Sequence, residues 1–138
     1  ITLQNIEFIL SLDDALPTIL AHNNRMEQVI FNLVTNARDA VNERVETRMD
    51  ILQGKIEIST FSDKQMVGLT IADNGIGIEP AQMENIFESF FTTKEMGEGL
   101  GLGLPIIQGI VRDYNGSISV ESTPGSHTSF RILFPAQP

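Results

Sequence analysis

The sequence predicts an α+β fold, a two-layer sandwich of about three helices on a mixed, mostly antiparallel sheet of about five strands. Three observations predict it. One long stretch, Asn23 to Val41, repeats apolar residues at helical spacing over four turns. Two pairs of alternating stretches are separated by short turn signals, as hairpins are. Helical and extended stretches also alternate along the chain, so the sheet is not built from hairpins alone.

In chain order, Asn5 to Leu12 reads as a strand in which Ile6, Phe8 and Leu10 alternate with other residues. A short apolar piece, Pro17 to Leu20, follows. Asn23 and Asn24 offer an N-cap to the long helix, whose apolar set is Met26, Val29, Ile30, Leu33, Val34, Ala37, Ala40 and Val41. Asn42 to Gln53 is charged and fits either more helix or a loop. Strands are expected at Lys55 to Phe61 and Met66 to Ala72, with Ser62 and Asp63 as the turn between them. Pro80 opens a short helix to about Phe87. Glu88 to Gly103 carries four glycines and no period, the pattern of a long functional loop. A helix from about Pro105 to Tyr114 presents Ile107, Ile110, Val111 and Tyr114 on one face and ends at Asn115-Gly116. Two strands close the chain, Ser117 to Glu121 and Thr128 to Phe134, around a Thr-Pro-Gly-Ser turn.

The 138 residues fit one domain, and 41% apolar content supplies a real core. A net charge of −9 argues against broad nucleic-acid binding, yet a nucleotide needs only a local patch of N–H groups. With no cysteine there is neither a disulfide frame nor a thiolate metal site. The longest mostly apolar run, Leu100 to Val111, is broken by glycines and a proline and is too short to span a bilayer. The chain opens on Ile1, shows no signal-peptide pattern, and reads as a piece of a longer protein.

Three constellations could carry chemistry. On the first helix Gln28, Asn32 and Asn36 recur every four residues, an arc expected opposite the apolar face, with Arg38 and Asp39 near its edges. Asparagine is a mediocre helix former, so this stripe is either a solvated face or a source of neutral oxygen ligands for Mg²⁺. Asp73-Asn74-Gly75-Ile76-Gly77-Ile78 follows a strong strand. It is either an ordinary Asn-Gly turn or a place where backbone approaches a ligand while the carboxylate accepts from an exocyclic amine such as that of adenine. Gly97-Glu98-Gly99-Leu100-Gly101-Leu102-Gly103-Leu104 alternates glycine with other residues just ahead of a helix. It is either a linker or a phosphate cradle at a helix N-terminus, and its leucines suit a lid that packs on closing. The spacing matches neither a dinucleotide fingerprint nor a P-loop. Phe87, Phe90 and Phe91 suit core packing, whereas Lys94 is a charge able to reach a phosphate. His22 and His127 stand alone, outside any metal-ligand spacing.

These pieces, in this order, resemble the ATP-binding domain of bacterial sensor histidine kinases, within the wider family that includes gyrase, the Hsp90 chaperones and the MutL repair proteins. The likeness runs from about Asn23 to Pro135. It rests on the asparagine helix from Gln28 to Ala40, the Asp73–Gly77 turn, the stretch from Phe87 to Lys94, the lid from Gly97 to Leu104, and the closing Gly125-Ser126-His127-Thr128-Ser129-Phe130. The resemblance implies a Bergerat-type ATP-binding fold that takes ATP and Mg²⁺. It implies that Asn32 ligates the metal and Asn36 contacts phosphate or metal, with Asp39 among the cofactor-contacting residues of that helix. It implies that Asp73 holds the adenine amine, supported by Thr128 through water, while Gly75, Gly77 and Ile78 border the base. Gly99, Gly101, Leu102, Gly103 and Leu104 would wrap the phosphates, and Asn32 and Lys94 would serve catalysis. Asp39 stands where many members carry a phosphate-binding lysine, so Lys94 is the better candidate for that contact. Ser89 and His127 replace a common proline and glycine.

ATP-hydrolysing relatives place a glutamate four residues before the metal asparagine. Gln28 stands there and cannot take a proton. Transfer to an outside acceptor is therefore expected: a histidine on a separate dimerisation and phosphoacceptor domain of the parent protein, with a response regulator beyond it. His22, in Ala-His-Asn-Asn, is not in an acceptor context. The expected partners are thus ATP or ADP and that domain, with no nucleic acid, no membrane contact by this domain and a cytoplasmic location. Three alternatives stay open: a protein-serine kinase of the anti-sigma type, an ATP-driven clamp, and a nucleotide-sensing module without transfer.

Overall fold

A computed structural model describes residues 6–87 and 103–137. Its elements are β1 (Ile6–Ser11), α1 (Asn23–Thr47), β2 (Gly54–Asp63), β3 (Met66–Asp73), α2 (Pro80–Met83), α3 (Gly103–Asp113), β4 (Ser117–Thr123) and β5 (His127–Pro135). The strands form one sheet in the order β1-β2-β3-β5-β4. Among the described residues β1 and β2 pair in parallel, and the other pairings are antiparallel. The three helices and the mixed five-stranded sheet are those the sequence predicts.

The core lies between the sheet and the helices. Alternation points Ile56, Ile71, Phe130, Ile132 and Phe134 to one face, where register sets them side by side. Against them α1 sets Val29, Leu33, Ala37 and Val41, one residue per turn, and α3 adds Ile107, Ile110 and Val111. On the far face the Phe61 ring lies over Gly68, its cross-strand partner, and Arg131 stacks on that ring at 4.5 Å.

Several boundaries differ from expectation, each for a physical reason. The helix α1 continues through the charged stretch to Thr47, and its N-cap is His22, which makes no side-chain cap bond. The β2–β3 turn falls on Lys64 and Gln65, both left-handed at φ 50° and 67°, while Ser62 and Asp63 stay in β2 and pair with Val67 and Met66. Helix α2 is one turn long, and α3 starts at Gly103; Pro105 fits its first turn, where a missing N–H costs nothing. Asn115 takes a left-handed φ of 62° after α3, and Gly116 N–H reaches back to the Val111 carbonyl while Asn115 N–H reaches Arg112. In β1 only Ile6 packs against the core. Phe8 and Leu10 share its face but sit on the sheet's edge, 52% and 63% exposed.

The turn after β3 lies directly on α1. A Cβ on Gly75 would sit 2.5 Å from the Ala40 carbonyl carbon and 2.7 Å from the Val41 nitrogen. Ile76 N–H donates to the Ala40 carbonyl at 3.0 Å. Gly77, at φ 79°, is blocked in the same way by Thr123. Gly75→Ala forces backbone apart on both sides and is expected to cost about 3 kcal/mol, read as a lower urea midpoint. A change below about 0.5 kcal/mol would show that this contact is not tight.

Candidate functional site

The last residue of β3, Asp73, faces the helix layer and is buried. One carboxyl oxygen accepts the Gly75 N–H at 2.8 Å. The other has no protein donor among the described residues. Burial pushes this carboxyl up to about 7, and the Gly75 bond offsets only part of that rise. Its register neighbour on β5 is Thr128, also buried.

Ser122 organises the space beside them. Its Oγ accepts the Ile78 N–H at 2.8 Å and donates to the His127 carbonyl at 2.8 Å. Its one proton is then used, so in its 2.8 Å contact with Thr128 Oγ1 the threonine donates. Thr128 is left as an acceptor, next to the open Asp73 oxygen, which accepts once the carboxyl is ionised. The pair suits a ligand group that brings two protons, as an exocyclic amine does.

Asn32 and Asn36 lie on the flank of α1 rather than opposite its buried stripe. Both are half-buried, whereas Phe31 takes the outer face at 66% exposure. Neither asparagine amide has a hydrogen-bond partner among the described residues. Gln28 is exposed. Asp39 accepts from its neighbour Arg38 at 3.1 and 3.2 Å. Gly103 opens α3 and is buried, and Leu104 packs against the core. Ile78 does the same with its side chain. Lys94, Gly99, Gly101 and Leu102 lie outside the described residues. So Asp73, Gly75, Gly77, Ile78 and Thr128 meet around one turn, and α1 brings Ala40 beneath it.

Sequence reasoning missed three residues. Asn74 bridges to β2: its Oδ1 accepts the Lys55 N–H at 2.7 Å and its Nδ2 donates to the Gln53 carbonyl at 3.0 Å. Arg44, in the last turns of α1, donates to the Asn74 carbonyl at 2.9 Å and the Ser126 carbonyl at 2.8 Å. Ser122 is the third. An Asn inside an Asn-Gly turn and an arginine in a charged stretch carry no sequence signal for such distant partners.

The raised Asp73 carboxyl has a stability consequence. The folded state favours the neutral acid, so this contribution is complete below the ordinary value of 3.8 and is lost as pH rises through about 7. Asp73→Asn keeps an acceptor for Gly75 and cannot ionise. The variant should be about 2–4 kcal/mol more stable than wild type near pH 8, with the gap closing as pH falls towards 4. Denaturation at a series of pH values measures it; a constant gap would refute the shift.

Comparison with known proteins agrees with this fold. A family model described as "Histidine kinase-, DNA gyrase B-, and HSP90-like ATPase" matches residues 21–138. The signal transduction histidine-protein kinase AtoS of Escherichia coli (strain K12) is 38% identical over 135 residues, 96% of this chain and 20% of that protein. The sensory histidine kinase/phosphatase NtrB of Rhizobium leguminosarum bv. phaseoli is 34% identical over 140 residues, 96% of this chain and 36% of that protein. The chain thus spans about a fifth to a third of these relatives. Among solved structures, the nucleotide-free catalytic domain of histidine kinase ThkA superposes with a TM-score of 0.77 at 32% identity, covering 96% of this chain and 80% of that one. The chain belongs to the histidine kinase-, DNA gyrase B- and HSP90-like ATPase family, as an ATP-binding catalytic domain of the sensor-histidine-kinase type.

Proposed function

We propose that residues 1–138 form a single catalytic module that binds Mg-ATP and supplies its γ-phosphate to a histidine on a separate phosphoacceptor domain of the parent protein. The observation that carries this reading is the buried Asp73, one oxygen held by Gly75 and the other open, beside a threonine whose own proton is turned away. Adenine brings an amine with two protons to that place. Guanine brings a carbonyl oxygen, which two acceptors repel. A neighbouring structure, full-length ShkA at 26% identity and a TM-score of 0.77, is a complex with AMPPNP, which supports an adenine nucleotide as ligand.

The free amide of Asn32, with Asn36 one turn on, suits Mg²⁺, which takes few protein oxygens and completes its shell with phosphate and water. No group of three or more histidine, cysteine or acidic residues among the described residues offers a rival metal site. Bound Mg²⁺ would neutralise phosphate charge. Phosphate contacts from Gly99, Gly101, Leu102, Gly103 and Leu104, and from Lys94, belong to the same proposal. In the transfer, an imidazole nitrogen forms a bond to the γ-phosphorus as the bond to the bridging oxygen breaks and ADP leaves. The rate then depends on positioning by the acceptor domain. Gln28 is exposed on α1 and offers no base for water, so hydrolysis by this module alone is slow. The phosphoryl group then passes to a response regulator, and the module works in the cytoplasm. Among the described residues no helix is long and apolar enough to cross a membrane.

Mixing the chain with Mg-ATP and the phosphoacceptor domain of its own parent protein should give acid-labile phosphohistidine. The rate should rise with acceptor concentration, since the two are untethered. Asn32→Ala should cut the rate by about 100-fold or more. Acid-stable phosphoserine would favour a protein-serine kinase, and rapid phosphate release without acceptor would favour an ATPase. Asp73→Ala should weaken ATP by roughly 10- to 150-fold, the loss of a hydrogen bond to a charged group. Equal affinity of wild type for ATP and GTP, measured by calorimetry, would refute the role of Asp73.

A further inference from the structure

We infer that Arg44, held in plane by Asp50, is a positioning residue that sets the two walls of the adenine site at the separation the base requires. This inference rests on the proposed adenine site at Asp73 and Thr128. Arg44 lies three helical turns beyond Leu33, on the buried side of α1, and its side chain is only 12% exposed. A guanidinium placed there must satisfy a rigid fork of donors. Nε and Nη2 face one carboxylate and donate to both oxygens of Asp50, at 2.9 and 3.2 Å. That bidentate pairing fixes the plane of the group. It leaves Nη1, whose two protons go to two carbonyls, Asn74 at 2.9 Å and Ser126 at 2.8 Å.

Those carbonyls flank the two residues that face adenine. Asn74 directly follows Asp73, and Ser126 precedes Thr128 by two. One nitrogen of one side chain therefore ties the β3 turn to the β4–β5 turn. A second link runs parallel to it, from Gly125 N–H to the Ile76 carbonyl. Lysine carries its charge on a single atom and cannot brace against Asp50 while reaching both carbonyls in a fixed plane. Asp50 is exposed, and the guanidinium's hydrogen bond holds its carboxyl below the usual range, so the brace is charged throughout the neutral range. The continuation of α1 past Val41 places Arg44 within reach of both carbonyls.

A positioning role differs from bulk stabilisation in which ligand it affects. The test compares ATP with purine riboside triphosphate, which keeps the phosphates and ring system but lacks the amine. Affinities are measured by calorimetry for the 138-residue chain, wild type and variants. Arg44→Gln should weaken ATP about tenfold and purine riboside triphosphate less than about twofold. Asp50→Asn leaves the arginine in place at an exposed site and should give the same selective loss at about threefold. In an Asp73→Ala background Arg44→Gln should cause no further loss, because the two act through one contact. Equal weakening of both ligands, or full additivity with Asp73→Ala, would overturn the inference. If Asp73→Ala itself leaves the preference for ATP intact, the adenine site falls and the inference falls with it. If Asp73→Ala removes the preference while Arg44→Gln and Asp50→Asn keep it, the inference alone is wrong.

Discussion

The site depends on one close approach, that of the turn after β3 to the backbone of α1. Glycine at position 75 lets the chain pass where any side chain would meet Ala40, and Ile76 N–H bonds the Ala40 carbonyl at that point. Because Ala40 sits one turn beyond Asn36 on the same helix, this contact fixes the asparagine flank relative to Asp73. A loop joined only by its ends would leave that relation free. Here the relation between the asparagine flank and Asp73 is set by packed backbone, which deforms far less than a side-chain contact.

From that contact the polar network spreads outward. Asn74 ties the turn to the start of β2, Gly77 lies against Thr123, and Ser122 joins Ile78 to His127 and Thr128. These bonds are exposed or part-buried, and no fully buried side-chain nitrogen or oxygen among the described residues lacks a partner. The same burial leaves Asp73 as an acid near neutrality rather than a settled carboxylate. The fold thus spends stability to hold a largely buried carboxyl with one oxygen left open. Such a group is best explained by a ligand that supplies the missing donor.

What was legible in the sequence were the features carried by local period and composition. The stripe Val29, Leu33, Ala37, Val41 announces α1, and the strand before Asp73 announces its turn. The site's shape was less legible because its partners are distant in sequence. Arg44 meets residues 30 and 82 positions away, and nothing in a charged stretch marks it. Gly75 and Gly77 stood out as glycines, but their immediate reason is contact with α1 and Thr123, which requires the fold to be known. The alternation of Ile6, Phe8 and Leu10 marks a strand correctly, yet alternation cannot tell an edge strand, where two of the three stay exposed, from a covered one. Asn32 and Asn36 fell beside the buried stripe rather than opposite it, and that flank is the side on which Ala40 meets the turn.

The central claim is that adenine supplies the donor that the buried Asp73 lacks. Binding must then drive this carboxyl from a state titrating near 7 to an ionised one, releasing protons. Calorimetry of ATP binding in buffers of different ionisation enthalpy counts those protons directly, and subtracting the Asp73→Asn variant removes the contribution of the phosphates. The account predicts a difference of about half a proton released near pH 7 that vanishes by about pH 9. Identical proton release by wild type and Asp73→Asn at every pH would contradict it.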